Sequence, residues 1–89
     1  MFRMWVKEFK GTHLVRDTVI EDGSGETRTA KIMHGLEAAC HELDIGVPIW
    51  LDVNIRDFHR IAKTRFTQDS FIEPIDFDYL EVHIIEEDY

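Results

Sequence analysis

The acidic excess of this chain lies entirely in its last 24 residues. Residues 1–65 contain ten Lys or Arg and ten Asp or Glu, whereas residues 66–89 contain eight Asp or Glu and no base. A segment of this length with only negative charges has to contact cations of its own chain, contact a cationic partner, or remain in water. We expect the first outcome, in which the basic flank of a predicted second helix and the acidic C-terminal segment largely cancel within one compact body.

Length and composition favour one folded domain over residues 1–89. Hydrophobic residues make up 44% of the chain and aromatic residues 11%, which suffices for a small core and argues against a disordered acidic chain. The pI of about 4.9 disfavours nucleic acid and anionic membranes as partners, because both repel a negative protein. No apolar stretch approaches the roughly 20 residues of a membrane-spanning helix. The single cysteine, Cys40, allows no internal disulfide, and with no export signal this predicts a cytoplasmic protein.

The first half of the chain predicts a β-hairpin followed by a helix. Apolar and polar residues alternate over residues 2–7, residues 14–20 are rich in β-branched side chains, and Gly11 between them suits a tight turn. After a glycine-rich connector at residues 22–25, the apolar period changes from that of a strand to that of a helix. The helical stripe consists of Ile32, Leu36, Ala39, Cys40 and Leu43. Gly46 is predicted to end this helix.

The second half predicts a strand, a second helix and a final strand. Residues 48–51 form a short apolar run that is typical of a buried strand. Asn54 and Asp57 have the spacing of a capping pair at the start of a helix. The apolar face of that helix is predicted to contain Ile55, Phe58, Ala62 and Phe66. Residues 67–76 read as a surface loop anchored by Phe71 and Ile72, and residues 79–85 alternate as the last strand.

These elements predict an α+β fold with the order ββαβαβ. The connection over residues 53–76 is long enough for a crossover, so the last two strands are expected to be parallel. The economical arrangement is a two-layer sandwich, with a four-stranded mixed sheet and both helices on one face. The sheet face without helices is predicted to be an interface with a protein partner or a second copy. Its interface residues are Trp5, Phe9, Tyr79 and Ile85.

The basic residues that follow position 55 allow two interpretations. Arg56, Arg60 and Lys63 have the spacing of one side of a helix, and Arg65 lies close by in sequence. These four residues are a candidate site for a phosphorylated or carboxylated ligand, since guanidinium groups bind such anions in bidentate fashion. The favoured interpretation is that they neutralise the acidic residues of the chain itself.

Other residue patterns carry weaker chemical signals. His34, Glu37 and His41 share the polar side of the first helix, but histidines seven residues apart lie nearly two turns from each other. Cys40 lies within the apolar stripe, which predicts a packed thiol and not a nucleophile. Asp52 follows an apolar run, where helix capping explains it without a ligand. We therefore predict no catalytic residues, no metal and no cofactor.

Four sequence segments resemble a group of short acidic bacterial proteins known as conserved hypotheticals. They are TRT at 27–29, PIWLD at 48–52, KTRFTQDSF at 63–71 and FDYLE at 77–81. The resemblance spans most of the chain and implies a bacterial cytosolic protein. No activity or cofactor is assigned to that group, so the resemblance transfers no functional residue.

The favoured function is a noncatalytic protein-interaction or regulatory module that self-associates as a homodimer. It rests on the segregated charge and on the lack of a nucleophile, base and oxyanion set in the sequence. The alternative is a small anion-binding protein or enzyme that uses the basic residues, with Asp52 or His59 for proton transfer. A further alternative is an acidic nucleic-acid mimic, which needs its carboxylates exposed along one surface.

Overall fold

The helices and strands of this α+β protein come from a computed structural model that describes residues 1–87. Two strands, β1 and β2, precede two helices, α1 and α2, and two further strands, β3 and β4, follow. Their bounds are β1 Phe2–Lys10, β2 His13–Asp22, α1 Arg28–Glu42, α2 Asp52–Ile61, β3 Lys63–Phe66 and β4 Tyr79–Glu86. A single 3-10 turn, Gln68–Ser70, lies between β3 and β4.

The four strands form one sheet in the order β2-β1-β4-β3, and every neighbouring pair is antiparallel. The predicted mixed sheet and the order ββαβαβ are therefore wrong. Residues 48–51 belong to no strand, and the Ile49 N–H donates to the Ser70 carbonyl at 2.7 Å. The free edge of β4 is taken instead by β3, which follows α2 directly. Residues 67–78 join β3 to β4 without a crossover helix, and the two strands pair antiparallel.

The predicted hairpin of β1 and β2 is confirmed by their antiparallel register. Gly11 stands in the turn with φ of 61°, a left-handed conformation that costs glycine little. Alternation along β1 buries Phe2, Met4 and Val6 on one side of the sheet, which we call the inner side. The opposite, outer side carries Arg3, Trp5, Lys7 and Phe9.

The predicted apolar stripe of α1 is confirmed, because all five residues of the stripe are buried. The Thr27 hydroxyl caps its N-terminus by accepting from the Ala30 N–H at 3.2 Å. Gly35 allows the helix to approach the inner side closely, since a Cβ at that position would lie 2.9 Å from Cε of Met4. The predicted end at Gly46 is wrong, because the helix ends at Glu42 and Asp44 adopts φ of 56°.

Helix α2 begins two residues before the predicted cap and presents a different face to the core. Its N-cap is Leu51, and Asn54 lies in the first turn with 2% of its surface exposed. Phe58 is buried as predicted, whereas Ile55 is 48% exposed. Phe66 lies on β3 and not on α2. The helix ends because Ala62 takes a left-handed conformation with φ of 54°.

None of the helices formed by residues 1–87 is both long enough and apolar enough to cross a lipid bilayer. The longest, α1, has 15 residues.

Candidate functional site

The structure places three of the four predicted interface residues on the outer side of the sheet. Phe9 lies opposite Tyr79, and their rings stack with centroids 5.2 Å apart. Trp5 lies on the same strand opposite His83. All three aromatic side chains are half-buried. Ile85 is 41% exposed and lies where the pairing of β1 with β4 shifts register.

The aromatic rings of the outer side are engaged by charged groups of the same chain. The Trp5 indole N–H donates to Asp17 at 2.8 Å, and Lys7 Nζ lies 3.9 Å from the centre of the Trp5 ring. Arg65 stacks over Tyr79 at 4.6 Å. Charged groups thus cover the aromatic rings of the outer side, which makes this side a weaker candidate for a dry interface than an uncovered apolar patch.

A buried ion pair lies beneath this network. Lys7 Nζ is 3.3 Å from Glu81 Oε1, and the two side chains are only 11% and 8% exposed. The register places Lys7 between Asp17 on β2 and Glu81 on β4, and Glu81 next to Arg65 on β3. Charges of alternating sign thus cross all four strands in one row, and such cross-strand pairs stabilise a sheet.

His83 occupies the neighbouring row of the outer side, between Trp5 and Lys63. Its pKa is lowered from the ordinary value of 6.5 by burial first, and then by the positive charges of Lys63 and Lys7, which outweigh the opposing effect of Glu81. The folded protein therefore favours the neutral imidazole.

Acidification is expected to destabilise the protein in part through His83. The pKa of His83 is lower in the folded protein than in the unfolded chain. The loss of stability therefore begins as the pH falls through about 6.5 and is complete below the pKa of His83 in the folded protein. Thermal unfolding from about pH 7.5 to about pH 5 measures it. A His83→Asn variant should lose less of its melting temperature over this range than the parent. The control variant His13→Asn, in the exposed hairpin, should lose as much melting temperature as the parent. Equal dependence of melting temperature on pH in all three proteins would contradict the role of His83.

The structure separates the four residues of the predicted anion site. Arg56 and Arg60 lie on the exposed surface of α2, whereas Lys63 and Arg65 lie on β3 and face the outer side. The expected stripe on one helix is wrong, because the left-handed Ala62 ends α2 before Lys63. Arg65 lies 3.5 Å from Glu81, and Arg60 lies 3.7 Å from Asp57 in its own helix.

The acids of β4 and the residue after it meet cations from other parts of the chain. Glu81 contacts Lys7 and Arg65. Glu86 contacts Arg3 at 3.6 Å, and Glu87 contacts Arg28 at 2.6 Å. The cations thus come from β1, α1 and β3, and not from α2 as expected. These pairings also break up the acidic track that nucleic-acid mimicry needs.

The 3-10 turn and the loop that follows it leave a second group of acids exposed. Asp69, Glu73 and Asp76 are exposed and form no ion pair within residues 1–87. Phe71 is buried as predicted, but Ile72 is 89% exposed and anchors nothing. We call residues 69–76 the acidic loop.

Exposed apolar side chains concentrate around α2 and the segment that leads into it. They are Val47, Ile49, Leu51, Val53, Ile55 and Ile61, each between 37% and 51% exposed. This surface was missed because residues 48–51 were interpreted as a buried strand. The signal was present in the sequence, since apolar residues occupy every second position from 47 to 55.

A groove between the two helices adjoins this surface. It encloses about 340 Å³ and is lined mainly by Ile32 and Met33 of α1, Trp50, and Ile55 and Phe58 of α2. The Trp50 ring packs against Phe58 with centroids 5.1 Å apart. Its indole Nε1 is buried and has no hydrogen-bond partner within the described chain, and a buried donor without an acceptor is costly. We call this feature the helix groove.

Other reactive groups remain apart. Cys40 is fully buried, and burial first and then the charge of Glu8 raise its pKa to about 12, so the thiol is a poor nucleophile. His34, Glu37 and His41 form no metal site, and no group of three or more His, Cys, Asp or Glu side chains in residues 1–87 has a suitable arrangement. Asp52 occupies the first turn of α2, where its negative charge interacts favourably with the helix dipole.

Fold and surface define an α+β protein with an antiparallel sheet, a largely exposed second helix and an apolar groove beside it. Comparisons with protein-family models, curated proteins and solved structures found no match. The resemblance to short acidic bacterial proteins stays a prediction.

Proposed function

We propose that this protein is a noncatalytic protein-interaction module that acts through the surface of α2 and the helix groove. The observation that carries the proposal is the concentration of exposed apolar side chains over residues 47–61. A concentration of exposed apolar side chains is typical of binding sites for proteins. The proposal includes a two-layer arrangement with both helices over the inner side, supported by Gly35 against Met4 and Asn54 against Thr64.

Several features of the chain favour binding over catalysis. The Cys40 thiol is buried within the core, and the basic residues of the alternative anion site lie on two different elements. Neither arrangement supplies an activated nucleophile beside a base. A cytoplasmic location belongs to the proposal, supported by the lone thiol of Cys40, which stays reduced and packed.

The test compares the parent with Met33→Glu, which places a charge in the helix groove at a position 47% exposed in the fold. Size-exclusion chromatography with light scattering measures self-association at micromolar concentration. Affinity capture with each protein as bait measures binding of other proteins. We expect the parent to self-associate or to capture a protein stoichiometrically, and Met33→Glu to lose that binding while its circular dichroism stays unchanged. A monomeric parent that captures nothing would refute the proposal.

A further inference from the structure

The apolar helix groove has one wall on each helix. Ile32 and Met33 supply one wall, and Ile55 and Phe58 supply the other. Trp50 contributes its apolar ring between them. The group that best fits this site is an apolar side chain, because the lining side chains are predominantly apolar and aromatic.

The acidic loop displays a side chain of that kind. Ile72 is 89% exposed, more than any other large hydrophobic residue in the described chain. Burying an exposed isoleucine side chain against apolar surface is favourable, because it removes apolar area from water. The loop around it is tethered on both sides, since the Gln68 side chain donates to the Glu73 carbonyl at 2.9 Å and accepts from the Ile75 N–H at 2.9 Å. An ordered loop loses less entropy on binding than a flexible one.

Charge distribution matches the loop to the groove. Arg56 and Arg60 each follow a groove residue, Ile55 and His59, by one position on the exposed surface of α2. Arg56 has no ion pair within residues 1–87, and Arg60 has only the 3.7 Å contact with Asp57. The acids beside Ile72 are likewise unpaired within the described chain. One copy thus carries an exposed isoleucine among acidic residues, and an apolar groove beside a helix that exposes Arg56 and Arg60.

We infer that Ile72 of one copy occupies the helix groove of a second copy, with the acidic loop facing Arg56 and Arg60. This inference rests on the proposed function and names its partner. Opposite charges at the border fix the orientation of such a contact, and the buried apolar knob supplies most of its affinity. The same pairing gives a partner to Arg56 and to the acids beside Ile72, which form no ion pair within residues 1–87.

The first experiment compares two exposed isoleucines by light scattering at micromolar concentration. Ile72→Asn is expected to raise the dissociation constant of self-association about 30-fold or more, as the loss of a central interface residue does. Ile85→Asn changes the same residue type on the strand next to the outer side and should leave self-association unchanged. If Ile85→Asn and not Ile72→Asn abolishes association, the outer side is the interface and the inference is overturned.

The second experiment mixes two defective variants. Ile72→Asn lacks the knob, and Met33→Glu blocks the groove, so each alone should be monomeric where the parent associates. An equimolar mixture retains one intact knob and one intact groove, and we expect a one-to-one complex by light scattering. A mixture that stays monomeric would overturn the inference.

The oligomeric state of the parent separates failure of this inference from failure of the proposed function. A monomeric parent that captures another protein, with capture lost in Met33→Glu, would overturn the inference and support the function. A monomeric parent with no capture would overturn both.

Discussion

Replacing Glu81 by leucine is expected to lower the free energy of unfolding by about 3 kcal/mol or more, because removal of one partner leaves a buried charge uncompensated. Lys7 Nζ lies 3.3 Å from Glu81, and its side chain is 11% exposed. Arg65 also loses a partner, but it is 60% exposed and stays hydrated. Urea unfolding followed by tryptophan fluorescence measures the change.

The double variant Lys7→Met with Glu81→Leu tests the cause of that loss. Removing both charges leaves no unpaired ion, so we expect most of the lost stability to return. Glu26→Leu is the matched control, because Glu26 is exposed and forms no ion pair within residues 1–87; its effect should stay within about 0.5 kcal/mol. A double variant as unstable as Glu81→Leu alone would contradict this account.

The second large effect is expected for Asn54→Ala, which should destabilise the fold by about 3 kcal/mol. The Asn54 side chain accepts from the Leu51 N–H at 3.0 Å and donates to the Thr64 hydroxyl at 2.9 Å and to the Arg65 carbonyl at 3.0 Å. These bonds tie the start of α2 to β3. The alanine leaves their partners unsatisfied in a site where only 2% of Asn54 is exposed.

Urea unfolding and amide hydrogen exchange together check this prediction. Protection should fall first in α2 and β3, because the lost bonds join those two elements. Thr12→Ala removes an exposed polar side chain from the hairpin turn and should change stability by less than about 0.5 kcal/mol. An Asn54→Ala variant as stable as Thr12→Ala would show that shape, and not hydrogen bonding, holds α2 in place.

The Asn54 contacts show why the start of α2 was predicted only approximately. Asn54 and Asp57 have the spacing of a helix cap, and both lie on α2. Asn54 does cap the helix, because its Oδ1 accepts from the Leu51 N–H, but its amide group also donates to β3. The Thr64 hydroxyl of β3 donates to Asp57 at 3.3 Å. A local pattern predicts the cap but not the anchor to β3, because the anchor depends on a strand that pairs elsewhere in the sheet.

The missed strand β3 has a similar cause. Residues 63–66 continue the basic spacing of α2, and their sequence alone does not mark the end of the helix. The Ala62 turn and the pairing with β4 convert them to a strand. That change divides the predicted anion site, since Lys63 and Arg65 then face the outer side while Arg56 stays on α2. Pairing between distant segments decided a feature that had been attributed to helical periodicity.

The exposed apolar surface has the same cause, because β3 takes the place of the strand that was predicted at residues 48–51. Residues 48–51 have the composition of a buried strand, yet β3 occupies the sheet edge that they were expected to take. Pro48 is buried and Trp50 packs against the core. Ile49 and Leu51 remain at the surface.

Sequence patterns alone predict the hairpin, the buried stripe of α1 and the packed thiol of Cys40, and they place the net charge in the last 24 residues. These features are local, since turn residues, apolar period and composition act within a few neighbouring positions. Long-range packing places Lys7, Arg3 and Arg28 beside the C-terminal acids and leaves Ile72 exposed. Such contacts join segments far apart in the chain, so they follow from strand pairing and packing and not from any local pattern.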